Sequence, residues 1–232
     1  MKKAELWKTE AKNIICFTSL KPLSFKEEKF KINYPKLLKF LKTVPKKNCY
    51  AKQVHGRRVL WADNFRDGEP RQADGFVSGE KKSMLLIFTA DCLPVFIYDK
   101  AKGHTAIIHC GWKSTYKGIV ESAVGKLKKK GSKPGNLKVI LGPGIRECCY
   151  EVSPSYVRRF AKKHGKTGVY KRKEKQYFSL PDIVKQQLKK MGIPAKNIED
   201  TRECTCCRPG KYYSYRRDGK GTGRMVSGIF AK

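Results

Sequence analysis

The sequence is short of acidic side chains and of histidine. It contains 52 Lys and Arg residues against 20 Asp and Glu residues, which gives a formal net charge of +32, and it has four histidines. A charge of this size favours association with polyanions such as nucleic acid, phosphate esters or anionic lipid. The basic residues are spread along the whole chain, and neither an RNP-type aromatic motif nor a paired zinc-finger spacing accompanies them. The charge therefore predicts non-specific polyanion association, and nucleic-acid binding without catalysis stands as one alternative function.

The sequence also lacks a long apolar run. No segment approaches the roughly 20 apolar residues of a membrane span, and the N-terminal stretch MKKAELWKTEAKNIICF lacks the apolar core of a secretory signal. The nine cysteines are an odd number without a secretory context, which favours reduced thiols over a disulfide framework. We expect a soluble, cytoplasmic protein with no membrane partner, and a monomer because the sequence shows no symmetric interface.

Apolar runs and their periods predict a mixed fold. Short continuous apolar runs are typical of strands covered on both faces, and helices are expected where apolar residues recur at helical spacing beside a cap or a terminal glycine. The predicted strands are residues 84–88, 93–98, 105–109 and 137–141, and the predicted helices are residues 116–130, 154–164 and 181–191. Strands and helices alternate only in part, so we predict the α+β class, a single domain over residues 1–232 with a mixed β-sheet core flanked by helices.

Three short motifs place metal-binding side chains beside predicted strands. QVHG places His55 before a glycine, TADC places Cys92 at the end of a strand, and IIHCGW places His109 at the end of another. If residues 84–88 and 105–109 lie in one sheet, the ends of these strands converge on one loop face. Two imidazoles and a thiolate then supply three protein ligands for Zn²⁺ and leave a fourth position for water or substrate. Each residue taken singly is more often an ordinary core residue, so the prediction depends on all three meeting.

Six ordered motifs make the chain similar to one known family. They are QVHG, ADGFVS, TADCLPV, HCGWKST, GPGIRECCYEV and YYSYRRDGKGTGRMVSGIF. In this order they resemble the bacterial laccase-domain family, also called multicopper polyphenol oxidoreductase, peptidoglycan editing factor or purine nucleoside phosphorylase, over most of the chain. The resemblance implies that His55, Cys92 and His109 bind the family's metal, usually taken to be zinc. It also implies adenosine deaminase and methylthioadenosine phosphorylase activities.

The predicted function is therefore that of a zinc-dependent purine nucleoside enzyme, with a nucleoside and phosphate as its small-molecule partners. Phosphate needs cationic and N–H donors. The catalytic candidates for this contact are Lys113, Arg216 and Arg217, and the backbone of Gly142 and Gly144 is a further candidate for substrate binding. Lys113 stands where the family usually has Arg, so it offers a point charge in place of a bidentate fork.

Two more residues have predicted roles. Asp91 lies beside Cys92 and is predicted either to carry a proton during catalysis or to orient a metal ligand. Tyr215 is predicted to stack on the purine base.

A multicopper oxidase is disfavoured by the number of imidazoles. A blue-copper centre uses two His and one Cys, and a trinuclear copper cluster needs several more, whereas only His104 and His164 remain. One mononuclear site exhausts the available ligands, although Cu²⁺ could occupy it adventitiously because copper outcompetes zinc at most N/S sites. A copper-dependent polyphenol oxidase and a hydrolase that edits peptidoglycan precursors stand as alternative functions.

The other cysteines include two short groups. Cys148 and Cys149 follow a Gly-Pro-Gly turn, and a nucleophilic role for either would need a basic neighbour. Residues 204–207 read CTCC and contain a C-x-x-C pair. Such a pair can bind a second zinc ion, form a redox disulfide or serve local packing, and it lacks a second ligand pair in the sequence. The role of both groups stays open at this point.

Overall fold

The structure of the protein is a computed structural model that describes residues 6–11, 13–64 and 71–232. Within these ranges the strands are β1 (Leu6–Ala11), β2 (Ile14–Ser19), β3 (Lys47–Cys49), β4 (Val59–Trp61), β5 (Gly75–Ser78), β6 (Ser83–Thr89), β7 (Leu93–Asp99), β8 (Thr105–Cys110), β9 (Leu137–Leu141), β10 (Glu151–Val152), β11 (Val169–Arg172), β12 (Lys175–Phe178), β13 (Ile198–Asp200) and β14 (Met225–Ala231). The α-helices in the same ranges are α1 (Glu27–Leu41), α2 (Trp112–Lys117), α3 (Ile119–Lys129), α4 (Pro154–His164), α5 (Leu180–Lys190) and α6 (Tyr215–Asp218). The four strands predicted from apolar runs are β6, β7, β8 and β9, each correct to within one residue at either end.

The described strands form two large sheets and one small one. The order in the five-stranded sheet is β1-β2-β14-β6-β3, and the order in the six-stranded sheet is β13-β9-β7-β8-β5-β4. Pairing is antiparallel in the middle of both sheets, whereas β3 beside β6, β4 beside β5 and β13 beside β9 are parallel. The small sheet has the order β10-β12-β11. The α+β prediction is confirmed.

The two large sheets stack on each other, and helices cover their outer faces. In β6, Leu85 and Ile87 pack toward the six-stranded sheet, whereas Leu86 packs with α1. In β7, Phe96 packs toward the five-stranded sheet, whereas Val95 packs with α3 and α5. Successive side chains point to opposite faces of a strand, and here both faces are buried. This explains why the central strands are continuous apolar runs rather than alternating ones.

The segment between β6 and β7 crosses from one sheet to the other. The chain leaves the five-stranded sheet at Thr89 and enters the six-stranded sheet at Leu93. The expectation that residues 84–88 and 105–109 share a sheet is therefore wrong, because β6 and β8 belong to different sheets. Burial on both faces looks the same in either sheet, so the sequence pattern could not separate them. Cys92 lies in this crossover.

The predicted helix over residues 116–130 is two helices. Gly118 separates α2 from α3 and has a φ of +88°, a left-handed conformation that glycine adopts without a steric penalty. The apolar residues of α3 that predicted the helix, including Val120 and Val124, are buried against the six-stranded sheet. The periodicity therefore predicted α3 correctly. The predicted start at residue 116 was wrong, because that residue lies in α2.

Side-chain caps begin α4 and α5. Ser153 accepts the backbone N–H of Tyr156, Ser179 accepts that of Asp182, and a proline lies in the first turn of each helix. The start of α4 agrees with the cap predicted from Ser153 and Pro154. None of the helices in the described part of the chain is both long enough and apolar enough to cross a membrane.

Candidate metal centre

Strand ends of the six-stranded sheet bring the candidate ligands to one edge. Strand β8 runs antiparallel to both β5 and β7, so the end of β8 and the starts of β5 and β7 lie together. His109 is the penultimate residue of β8, and Cys92 directly precedes β7. The loop between β3 and β4 carries His55 to the same edge.

The structure brings His55, Cys92 and His109 together. One donor atom from each residue lies within 4.8 Å of the other two, and the centres of the two imidazole rings are 4.8 Å apart. His109 is buried, whereas His55 and Cys92 reach solvent. An ion bonded at about 2.0–2.3 Å to nitrogen and sulfur is compatible with these separations, and the solvent side leaves a coordination position open. The donor set therefore fits a zinc-type ion.

Asp74 joins two of the three candidate ligands. Its Oδ1 lies 2.8 Å from His109 Nδ1 and accepts the backbone N–H of His55 at 3.0 Å. Its Oδ2 accepts the N–H groups of Gly56 at 2.7 Å and Val54 at 3.2 Å. A carboxylate only accepts hydrogen bonds, so the proton of His109 lies on Nδ1 and the Nε2 lone pair is left for an ion. Carboxylate–histidine pairs of this kind commonly orient metal ligands.

The pKa values of the two imidazoles shift in opposite directions. Burial would lower the pKa of His109, but the Cys92 sulfur and the Asp74 carboxylate raise that pKa to about 9. Burial lowers the pKa of His55, and the adjacent His109 ring lowers it further. Burial would raise the pKa of Asp74, but hydrogen bonds with His109 and the Gly56 N–H hold it below its ordinary value. A metal ion binding at Nε2 would displace a proton only from the charged ring, because the neutral ring that Asp74 orients already leaves this nitrogen free.

The absence of a side chain at Gly111 leaves space for His55 and Cys92. It follows β8 and precedes α2, and a Cβ at this position would lie 2.8 Å from His55 Nδ1 and 3.1 Å from Cys92 Sγ. Its N–H donates to Ser114 Oγ, which in turn donates to the carbonyl oxygen of His109. A glycine here therefore lets the start of α2 approach the candidate ligands without displacing them.

Asp91 connects three segments beside the candidate ligands. Its Oδ1 accepts the hydroxyl of Thr205 at 2.6 Å, its Oδ2 accepts the N–H of Arg216 at 2.6 Å, and its carbonyl oxygen accepts the N–H of Ile145 at 2.8 Å. Its φ of +88° is rare for a residue other than glycine, and these bonds hold the strained conformation. None of these partners is a candidate metal ligand, so the role of Asp91, carrying a proton or orienting a ligand, stays a prediction.

Lys113 and Lys117 supply positive charge on the solvent side of the group. Both are exposed on α2. The Nζ of Lys117 lies 3.5 Å from the carbonyl oxygen of His55, and the Nζ of Lys113 lies 5.5 Å from the centre of the Trp112 ring. Lys113 stays a predicted phosphate contact, and Lys117 is a second cation that sequence reasoning did not select.

Arg216 points its guanidinium into an open cleft beside the small sheet. Its Nη1 donates to the carbonyl oxygen of Glu151 at 2.9 Å, and the guanidinium carbon lies 5.3 Å from the centre of the Tyr150 ring. Lys175 and Pro154 also line this cleft. The exposed guanidinium of Arg216 is therefore available to an anion.

The guanidinium of Arg217 is fully hydrogen-bonded to other groups of the protein. Each of the five N–H groups of its guanidinium donates to a protein oxygen. The acceptors are both carboxylate oxygens of Asp218 and the carbonyl oxygens of Thr205, Cys206 and Tyr212. These contacts leave no N–H group of Arg217 for phosphate and favour a role in holding the surrounding loops.

The remaining predicted substrate contacts differ in accessibility. Tyr215 is 48% exposed at the start of α6. The N–H of Gly142 donates to the carbonyl oxygen of Pro94 at 2.9 Å, and the N–H of Gly144 donates to that of Glu203 at 3.2 Å. Tyr215 can therefore meet a base from solvent, whereas the two glycine N–H groups already have partners. A Cβ at Gly142 would lie 2.8 Å from Pro94 Cγ, so this glycine permits close packing against β7.

Sequence reasoning missed Asp74, although its motif was in view. ADGFVS places a carboxylate directly before an apolar strand, as TADCLPV does for Cys92. That placement was the available signal, and it is weak because an aspartate before a strand is common in turns. Thr205 gave no signal, because its partner Asp91 is 114 residues away in the sequence.

Comparisons with known proteins give a consistent result. Residues 26–232 match the family model described as multi-copper polyphenol oxidoreductase laccase. The chain is 35% identical over 188 residues to a purine nucleoside phosphorylase of Clostridium acetobutylicum, an alignment that covers 79% of this chain and 76% of that protein. It is 29% identical over 193 residues to an adenosine deaminase from an unknown prokaryotic organism, covering 78% and 74% of the two chains. The crystal structure of the Bacillus licheniformis hypothetical protein YfiH matches with a TM-score of 0.89 at 26% identity, covering 100% of this chain and 98% of that one.

Proposed function

Because the chain belongs to the family described as multi-copper polyphenol oxidoreductase laccase, we propose that it is a zinc-dependent enzyme acting on purine nucleosides. The observation that carries the proposal is the convergence of His55, Cys92 and His109 at one sheet edge, with Asp74 holding two of them. The names of the relatives, purine nucleoside phosphorylase and adenosine deaminase, support a purine nucleoside as the substrate.

In the proposed mechanism, His55, Cys92 and His109 would hold the zinc ion. When bound, zinc would supply Lewis acidity at the solvent-facing side of this group. Asp74 keeps the proton of His109 on Nδ1 and fixes the loop that carries His55. Gly111 keeps the approach to His55 and Cys92 clear.

Phosphorolysis requires an anion beside the nucleoside. Hydrogen phosphate attacks the anomeric carbon of the ribose, the glycosidic C–N bond breaks, and its electron pair goes to the purine nitrogen, which takes up the proton that the phosphate gives up. Lys113, Lys117 and Arg216 are exposed cations that can hold phosphate through charge-assisted hydrogen bonds. Tyr215 offers an accessible ring for the base. The products are free purine and ribose 1-phosphate.

Deamination needs water in place of phosphate. Water adds to the purine carbon that bears the amino group, and ammonia leaves with the electron pair of the C–N bond. Adenosine is thereby converted to inosine. The two reactions attack different carbons of the nucleoside, so we propose that the choice between them depends on which carbon faces the bound nucleophile, the anomeric carbon for phosphate or the amino-bearing purine carbon for water.

The imidazoles of this chain do not support a multicopper centre. His104 Nδ1 lies 3.0 Å from Ser132 Oγ, and the ring of His164 packs near those of Tyr116 and Phe160. Neither belongs to the group that contains His55 and His109. Copper bound through the imidazoles of this chain would therefore occupy the same three-residue group as zinc, and we propose that any oxidase activity of a copper-loaded sample arises there.

A nucleoside assay with metal analysis tests the proposal. Wild-type protein and Cys92→Ala are incubated with adenosine, with and without phosphate, and products are resolved by chromatography. We expect adenine only with phosphate, inosine without it, and in Cys92→Ala the loss of both products together with the zinc held by His55, Cys92 and His109. Cys16→Ala is the matched control, because Cys16 is a buried thiol of the five-stranded sheet and should leave activity and zinc content unchanged.

Two results would contradict the proposal. Full nucleoside turnover by a Cys92→Ala protein that has lost the zinc of this site would remove that metal from the mechanism. No reaction of the zinc-loaded wild type with any purine nucleoside, together with cleavage of a peptidoglycan precursor, would favour the editing hydrolase.

A further inference from the structure

A second group of sulfur atoms lies outside the candidate metal centre. Cys148 and Cys149 follow β9, and Cys204 and Cys207 follow β13; we refer to them as the four-cysteine cluster. One sulfur from each lies within 4.8 Å of the other three. The shortest separations are 3.3 Å from Cys149 to Cys207 and 3.4 Å from Cys148 to Cys207. The fold thus supplies the second pair of thiols that the CTCC segment lacks in the sequence.

The separations match a shared cation better than disulfides. Zinc bonded to four sulfurs at about 2.3 Å places them roughly 3.8 Å apart in a tetrahedron. A disulfide needs a sulfur–sulfur distance of about 2.05 Å, and all four cysteines are free thiols. Cys207 could form a disulfide with Cys148 or with Cys149, but not with both. The other two sulfurs of the cluster would then stay unbonded close to that disulfide. All four sulfurs are used only when a cation lies between them.

Backbone donors provide a second, independent indication. Burial would raise the pKa of the Cys204 thiol, but the backbone N–H groups of Cys207 and Arg146 hold it below its ordinary value. A donor three residues after the first cysteine of a C-x-x-C pair stabilises the negative charge of a thiolate, as the outer hydrogen bonds of metal sites do. Two arginines also adjoin the cluster, since Arg216 contacts the carbonyl oxygen of Cys149 and Arg217 that of Cys206. These cations suit the net negative charge of a zinc ion with four thiolates.

We propose that the four-cysteine cluster binds a second, structural zinc ion through all four sulfurs. Each thiol releases one proton to solvent as its sulfur bonds to zinc, so four zinc–sulfur bonds form and four S–H bonds break. The ion ties the turn after β9 to the turn after β13. Thr205 lies inside the C-x-x-C pair and donates to Asp91, which is next to Cys92. The second ion therefore fixes a loop that reaches the candidate metal centre.

Zinc content measured in matched variants tests the assignment. The proteins are purified without oxygen and with reductant, and zinc per chain is compared in wild type, Cys148→Ser/Cys149→Ser, Cys206→Ser and Cys92→Ala. We expect Cys148→Ser/Cys149→Ser to lose about one zinc per chain relative to wild type. Cys206→Ser should lose none, because Cys206 lies in the same segment but outside the four-cysteine cluster. Cys92→Ala should lose only the ion of the other site.

Cobalt substitution keeps the test valid if the double serine variant fails to fold. Cobalt-loaded Cys92→Ala retains the whole cluster, so it should keep strong near-ultraviolet sulfur-to-cobalt absorption and tetrahedral visible bands. Wild-type zinc content in a folded Cys148→Ser/Cys149→Ser protein would overturn the proposal. The absence of thiolate-to-cobalt absorption in Cys92→Ala, or a disulfide at Cys207 in the anaerobic protein, would also overturn it. Zinc content and the cobalt absorption spectrum report directly on metal binding by the cluster, so these outcomes do not depend on nucleoside turnover.

Discussion

Asp74 is the residue on which the geometry of the candidate metal centre most depends. Its carboxylate fixes the tautomer of His109 and clamps the backbone from Val54 to Gly56. We expect Asp74→Asn to weaken zinc binding by about 10- to 100-fold, the usual loss for a residue that orients a metal ligand. Chelator competition measures this affinity. Asp99→Asn is the control, because Asp99 is also buried and accepts two backbone N–H groups but is the last residue of β7, at the end of the strand opposite Cys92. Equal losses in both variants would refute the specific role of Asp74.

Gly111 is the residue whose lack of a side chain matters most. A Cβ there would lie 2.8 Å from His55 Nδ1, closer than real Cβ atoms approach other atoms. We expect Gly111→Ala to displace His55 and Cys92 and to lower zinc affinity at least tenfold while the fold persists, measured by chelator competition and circular dichroism. Gly135→Ala should leave the affinity unchanged, since nothing lies within 4 Å of its Cβ position. An unchanged affinity in Gly111→Ala would show that the ligands are not packed against this glycine.

Single residues show what the sequence could predict about the site. His55, Cys92 and His109 were predicted from ligand chemistry and motif order, and the structure brings these three together. The partners of Arg217 could not be predicted, because its acceptors include backbone carbonyl groups that only the folded loops bring near. Chemical type can be read from a residue name, but a hydrogen-bond partner distant in sequence cannot.

Alanine substitutions at Gly118 and at Gly125 should change the free energy of unfolding in opposite directions. Gly125 lies within α3, and an added Cβ there would meet nothing within 4 Å. We expect Gly125→Ala to raise the free energy of unfolding by about 0.5–1 kcal/mol, because alanine has less freedom to lose in a helix. Gly118→Ala should lower it by about 1–2 kcal/mol, because φ at Gly118 is +88°. Urea unfolding measures both, and effects of the same sign would contradict this account of the α2–α3 break.

Arg146 ties the elements β9 and β13 together. Its Nη1 lies 2.8 Å from Asp200 Oδ1, and Asp200 also pairs with Lys185 at 2.7 Å. Burial would raise the pKa of Asp200, but Arg146 and Lys185 hold it below its ordinary value. We expect Asp200→Asn to lower the free energy of unfolding by about 2–3 kcal/mol at neutral pH, less than for a fully buried pair because Lys185 is partly exposed.

The pH dependence of this difference has a definite sign. A carboxyl group whose pKa is lower in the folded state stabilises the fold above its unfolded pKa of about 3.9. The stabilisation is lost as the pH falls through the folded-state pKa. Denaturant unfolding of wild type and Asp200→Asn should therefore converge below about pH 4. A difference that stays constant from neutral to acidic pH would rule out the ion pair as its cause.

The elements show why strands were easier to predict than sheets. Runs such as MLLIF and LPVFIY specify buried strands because both faces need apolar side chains. The same property hides which sheet a strand joins, and this is why β6 and β8 were expected in one sheet. Likewise, a period of 3.6 residues predicted α3. The sequence does not show that Gly118 adopts a left-handed conformation, because a glycine can also lie within a helix.

At the scale of the molecule, the stacking of the two large sheets explains why both candidate metal-binding groups lie near one edge of the six-stranded sheet. The crossover from β6 to β7, the end of β8 and the ends of β9 and β13 all meet there. Both sulfur-containing groups follow from this arrangement, because the turns after β9 and β13 carry the four-cysteine cluster. The assignment of residues 1–232 to one domain stays a prediction, and limited proteolysis that yields no stable fragment would support it.

The net charge of +32 is the other property of the whole molecule. We expect the protein to bind single-stranded RNA without sequence preference, with an affinity that falls at least about a hundredfold between roughly 50 and 200 mM salt as counterions are released. Fluorescence polarisation with two RNAs of equal length and different sequence measures this. Lys128→Glu/Lys129→Glu, at the basic end of α3, should reduce the salt slope by only about 1.4, because the charge is spread over the surface. Loss of all binding in that variant, or a strong preference for one RNA, would instead indicate a localised and specific nucleic-acid site.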